Sequence, residues 1–141
     1  MKYTIIILLL LTVLTSNAQE KGELHITVHK IKTDSGSIRV ALFRDEESFL
    51  EKEWTSKSVP VNGHESVTIE FNELPEGVYG ISVFHDENDN EELDTNFIGI
   101  PTEPFGFGND AMGAFGPPGF KKASVTVKSG VTSTSVKLKS F

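Results

Sequence analysis

Between His85 and Asp94 the chain reads HDENDNEELD, which sets side-chain oxygens at Asp86, Asn88 and Asn90 on alternate residues and another at Asp94, four further on. A hard cation such as calcium takes six to eight oxygen ligands, and a loop of the D-x-[DN]-x-[DN] type supplies them by wrapping the ion and offering an oxygen at every second residue. The expected ligands are the side chains of Asp86, Asn88, Asn90 and Asp94 with the backbone carbonyl of Glu92. Glu103, Asn109 and Asp110 lie further along and could fold back to complete the sphere. The twelfth position from Asp86 holds Phe97 where a helix-loop-helix site needs a bidentate Glu, so a site of the strand-to-loop kind found in extracellular modules fits better. Two formal carboxylate charges predict weak affinity, about 0.1 to 1 mM. The competing reading is an Asn-rich turn in which Asx side chains bond local backbone amides.

Other residues with chemistry to offer are fewer. His25 and His29 would share the face of a helix, but on a strand they stand roughly 13 Å apart and cannot share a zinc ion. His85 adjoins the acidic loop and is the candidate base of a metal-assisted hydrolase built on the same residues. Against that role, the chain has no G-x-S-x-G turn and no cysteine nucleophile. Trp54 and the phenylalanines offer flat faces for stacking a sugar, although core packing accounts for most such rings.

The start of the chain sets the compartment in which this chemistry is expected. Lys2 precedes an apolar run from Ile5 to Leu14, and Ser16-Asn17-Ala18 follows as a small-residue cleavage site. That is the order of a secretory signal peptide over residues 1–18, with a mature chain from Gln19. The run is short for a membrane span and has no counterpart later, so an exported product, periplasmic or secreted, is expected with no transmembrane anchor after cleavage. Without cysteine there is neither a lipid-modified N-terminus nor a disulfide, and stability must come from a core. The net charge of −7 becomes one unit more negative when Lys2 is removed. Such a surface disfavours nucleic acid and anionic membrane and suits a cation.

The elements that must hold the loop read as β throughout. Leu24, Ile26 and Val28 alternate with polar residues, and the turn Thr33-Asp34-Ser35-Gly36 leads to Ile38, Val40 and Leu42, so these two stretches are expected to form a hairpin. Asp45 to Lys52 has a capping Asp and a small apolar face suited to one or two helical turns. Val67, Ile69 and Phe71 alternate before a turn at residues 73–77, and Tyr79, Ile81 and Val83 then run straight into the acidic loop. Val125, Val127, Val136 and Leu138 mark the last strands, around a Ser129-Gly130 turn. About six or seven short antiparallel strands imply an all-β fold, a single antiparallel β-sandwich over residues 19–141, Ig-like or prealbumin-like. Residues 99–120, GIPTEPFGFGNDAMGAFGPPGF, break the pattern. Disordered segments are poor in aromatics, so Phe105, Phe107, Phe115 and Phe120 predict an ordered excursion pinned over one end of the sandwich.

The stretch from LPEGVYGISVFHDENDN through GIPTEPFGFGN to FGPPGF resembles a family of small exported bacterial proteins, domain of unknown function family 2141. That family pairs H-D-x-N-x-N with G-[IV]-P-x-E-x-[FY]-G-F-x-N and a later F-G-P-P. The resemblance covers nearly the whole mature chain and implies no established activity. Its usual Gly after the second Asn is Glu91 here, which tests how tightly the loop can turn. By analogy alone the strand pattern is also similar to the carboxypeptidase-regulatory type of sandwich. The sequence therefore supports an exported, non-catalytic binding or scaffold domain with a calcium loop, in contact with an envelope protein or polysaccharide. The hydrolase with His85 as base is the alternative, and the oligomeric state is open.

Overall fold

Alternation of apolar and polar residues produces eight strands in a computed structural model that describes residues 18–141. The signal-peptide segment, apart from Ala18, lies outside the described residues. The strands are β1 (Lys21–His29), β2 (Ser37–Phe43), β3 (Thr55–Pro60), β4 (Ser66–Pro75), β5 (Gly77–Asp86), β6 (Phe105–Phe107), β7 (Ser124–Val127) and β8 (Gly130–Lys137). One sheet has the order β4-β1-β8. The other has the order β3-β2-β5-β6, with β7 also paired to β5.

The fold is all-β, and the two sheets face each other across one core. Leu24, Ile26, Val28, Ile69, Phe71 and Val136 meet Ile38, Val40, Leu42, Tyr79, Ile81 and Val83, all at most 2% exposed. Alternate residues of every strand thus share a face, as the pleat requires. All pairings are antiparallel except β1 with β8, which run parallel.

Three expectations about elements change. β1 and β2 do not form a hairpin, because they lie in different sheets. Both present a full apolar face to the same core, which two strands can do from opposite sides, and residues 30–36 are long enough to cross the interlayer gap of about 10 Å. Asp45 does cap a turn, its Oδ1 accepting from the Ser48 amide at 2.8 Å, and the bonds from Ser48 hold its carboxyl below the ordinary range. Residues 45–52 nevertheless stay a series of turns and form no helix. β3 and β6 are additional strands. β3 is an edge strand with only Val59 packed on the core, so its sequence carries little alternation. β6 has a single Gly between two rings.

That Gly explains how the excursion is attached. Phe105 pairs with Phe84 and Phe107 with Ser82 on β5, so both rings lie on the outer face of the larger sheet. Gly106 faces inward, where an added Cβ would lie 2.7 Å from Cγ1 of Val136. Phe105 also exchanges both backbone hydrogen bonds with Lys139, which ties the excursion to the chain's last residues. A second apolar cluster of Phe105, Phe107, Ala123, Phe49, Phe84 and Met112 forms there.

Candidate functional site

Asp86 ends β5, and the alternation of that strand decides where its neighbours point. Tyr79, Ile81 and Val83 belong to the core between the sheets, and His85 shares their parity. His85 is wholly buried, with Nε2 at 2.7 Å from the Ser35 carbonyl oxygen and Nδ1 without a partner. Asp86 points to the opposite face. The imidazole of the candidate base thus lies in the core with Nε2 engaged by the Ser35 carbonyl, on the opposite side of the strand from the Asp86 carboxylate.

The Asp86 carboxylate is 2% exposed, and a buried charge needs partners. Its Oδ1 accepts from the amide of Asn90 at 3.0 Å and its Oδ2 from the amide of Glu91 at 2.7 Å. The chain reaches back this sharply because Asp89 and Glu91 adopt left-handed backbone angles, φ 53° and 66°. Glu91 therefore takes the turn that a Gly would take without strain.

Within the turn the expected ligands are brought together. Asn88 Nδ2 and Asn90 Nδ2 donate to the two oxygens of Asp94, at 2.6 and 2.9 Å. The same two side chains accept from the amides of Asn90 and Glu92, at 3.2 and 3.0 Å, as Asx turns do. Glu92 lies exposed on the arc between them. Glu103 folds back as expected, and it is 5% exposed. Its two oxygens accept from the amides of Glu87 and Asp94, at 2.8 and 3.0 Å, so it braces both ends of the acidic turn.

Asn109 and Asp110 do not join this site. Asn109 donates to the carbonyls of Lys122 and Ser124, and Asp110 accepts from the amide of Lys137 at 2.8 Å. A short 3₁₀ turn at Gly108–Asp110 aims both toward the last strands. They anchor the excursion instead of extending the loop. His25 bonds Glu23 at 3.2 Å on β1, away from the acidic turn.

A supporting turn was not foreseen. Ser37 Oγ donates to Asp89 at 2.8 Å and Thr33 Oγ1 to Glu87 at 3.1 Å. Gly36 approaches so closely that an added Cβ would lie 2.1 Å from the Asp86 carbonyl oxygen, and its φ of +80° is one that L side chains rarely adopt. The only sequence signal was Thr-Asp-Ser-Gly, which reads as any turn does.

Residues 94–102 continue as a small hairpin. Thr95 bridges Pro101, and Asn96 Oδ1 accepts from the amides of Ile98 and Ile100, both at 3.0 Å. Its tip exposes Phe97 and Ile98. Chemically, the turn offers converging oxygens and no nucleophile. Among the described residues no group of three or more His, Cys, Asp or Glu side chains is placed to hold a metal ion. A cation here would rest on amide and carbonyl oxygens as well as carboxylates, which suits a hard ion and not zinc.

Neither the curated proteins nor the solved structures contain a match to this chain. Residues 26–135 match the model of a family described as "Uncharacterized protein conserved in bacteria (DUF2141)", a span that takes in both sheets, the acidic turn and the excursion, and the chain belongs to that family.

Proposed function

We propose that this protein is an exported, non-catalytic binding or scaffold domain whose Asp86–Asp94 turn takes a calcium ion as a structural element. The observation that carries the reading is an imbalance of charge. The Asp86 and Glu103 carboxylates accept from amides of one short run of backbone and that of Asp94 from the Asn88 and Asn90 side chains within it, yet none of the ion pairs among the described residues involves them. Like charges gathered in a partly buried turn favour a cation, and the side chains of Asn88 and Asn90 already converge on the Asp94 carboxylate through their Nδ2 groups. A rotation of each Asn amide turns an oxygen toward the point its nitrogen now occupies. Export rests on the order of charge, apolar run and small residues before Gln19. An envelope protein or polysaccharide is the partner class suited to such a location.

The test is thermal melting of the mature chain against calcium. At free calcium about tenfold above the dissociation constant, binding to the folded state alone contributes roughly 1.4 kcal/mol, a rise of several degrees for a chain of this size. Asp86→Ala and Asp94→Ala should lose most of that rise, and His25→Ala should keep it. Identical melting of wild type and Asp86→Ala relative to their own metal-free values, up to several times about 1 mM calcium, would reduce the turn to local Asx bonding. Mass spectrometry of exported material should find a chain starting at Gln19, and an intact Met1 on it would remove the cleavage claim.

A further inference from the structure

On the outer face of the larger sheet, β2 and β5 place small residues where the neighbouring rows carry rings. Ala41 pairs with Ser82 in register, between the Arg39–Phe84 row and the Phe43–Gly80 row. Two loops that leave this sheet border the gap. One is the hairpin after the acidic turn, through Leu93 and Ile100. The other is the segment from Met112 to Pro117, closed on itself by the Gly113 amide to the Gly116 carbonyl at 3.1 Å. They border a partly open cavity of about 840 Å³ lined by Ala41 and Ser82, with Phe115 fully exposed on its rim. A volume of this order lies within the range of sites for drug-sized ligands, about 300–1,000 Å³.

The lining also states what charge the occupant can carry. No Lys, Arg or His lines the cavity, and Glu53 is the one charged residue that does. Its Oε1 is already satisfied by Arg39 Nη2 at 3.1 Å and Ser56 Oγ at 2.8 Å. An anionic head placed here would lose its water and meet no basic side chain of the lining, and a cationic one would have to share the Glu53 carboxylate with Arg39. We infer that the cavity is a binding site for an uncharged, largely apolar small molecule, held between the post-acidic hairpin and the Met112–Pro117 segment. This goes beyond the cation reading and stands without it.

The test is fluorescence titration of the mature chain with the neutral apolar probe N-phenylnaphthylamine, beside the anionic anilinonaphthalene sulfonate, in EDTA so that the cation reading plays no part. Saturable binding of one neutral probe per chain is expected, with the anionic probe weaker by about tenfold or more. Ala41→Phe adds a ring to the lining and should weaken the neutral probe by about tenfold or more. Phe115→Ser alters a fully exposed rim residue and so leaves the fold intact. It should weaken the probe several-fold, about threefold or more, which keeps the test decisive if Ala41→Phe fails to fold. Absence of saturable binding, equal affinity for the two probes, or full affinity in Phe115→Ser would overturn the proposal. So would a dimer in sedimentation that dissociates in Phe115→Ser, because the ring of a second copy would then be the occupant.

Discussion

The acidic turn at residues 86–94 and the Gly/Phe-rich run at residues 99–120 follow one another along the chain and are ordered by different forces. In the turn the side chains are mostly exposed and the backbone is held by carboxylates, with Asp86 and Glu103 together accepting from the amides of Glu87, Asn90, Glu91 and Asp94. In the run, the backbone is held by the packing of Phe105, Phe107 and Phe120. Phe105 and Phe107 are each 7% exposed and meet edge to face at 5.9 Å, while Phe120 packs against Phe49 at 5.8 Å. The difference teaches that a loop without regular structure can be fixed either by satisfying its amides or by burying its side chains. The two means fail under different substitutions.

The largest effect should come from the ring-held region. Phe107→Ala removes a ring from the outer-face cluster and should cost about 3 to 5 kcal/mol in chemical denaturation. Phe115→Ala should fall within about 0.5 kcal/mol of wild type, because Phe115 is fully exposed. Composition alone leads one to expect both rings buried, and the structure separates them. Comparable losses from the two variants would mean that the rim segment packs down in solution and that the contrast drawn here is too sharp.

That separation marks what was legible in the sequence. Alternation gave the β class, the core residues of β1, β2, β4 and β5, and the turn that follows them, because burial of every second residue is a local pattern. The gathering of Asp86, Asn88, Asn90 and Asp94 in one turn was also legible, since they are neighbours in sequence, while the cation assigned to them remains a proposal. Long-range choices were not legible. Nothing local says that β1 takes β4 and β8 as neighbours instead of β2, or that Asp110 turns toward Lys137. His85 was read as a candidate base beside the acidic loop and not as a core residue, although it shares the parity of Tyr79, Ile81 and Val83, and its bond to the Ser35 carbonyl joins residues fifty apart in sequence. Thr33, Ser37 and Gly36 support the acidic turn through contacts of the same long range.

The carboxylate-held region should respond less, and in a different way. Asp86→Ala leaves the amide of Glu91 without its acceptor and that of Asn90 with only the 3.2 Å bond to Asn88, and Glu103→Gln sets a donor against one of its two amides. Each should cost about 1 to 3 kcal/mol, near the low end if water reaches the freed amides. Hydrogen exchange supplies a sharper readout. The amides of Glu87, Asn90, Glu91 and Asp94 should exchange slowly in wild type although the turn is largely exposed, and those of Asn90 and Glu91 should accelerate in Asp86→Ala while the amides of β6 do not. Acceleration across both regions together would show that they open as one unit.

The smallest effect concerns the conformation that the acidic turn requires of its own backbone. Glu91 has φ 66°, a left-handed angle that costs an L-residue about 1 to 2 kcal/mol. The position is held there because its amide is needed by Asp86 at 2.7 Å. Its side chain is exposed and makes no hydrogen bond among those described, so replacing it removes nothing from the folded state. Glu91→Gly relieves the angle but gives the unfolded chain more freedom, a penalty of roughly 0.5 to 1 kcal/mol. The net gain should be under about 1 kcal/mol, and it should appear without calcium, since it arises from backbone geometry alone. Glu91→Ala separates the side chain from the angle: it keeps the strain and should leave stability within about 0.5 kcal/mol of wild type. A loss of stability in Glu91→Gly would mean that the Glu91 side chain contributes to the folded turn, and the account of this region as held by Asp86 and Glu103 would have to include it.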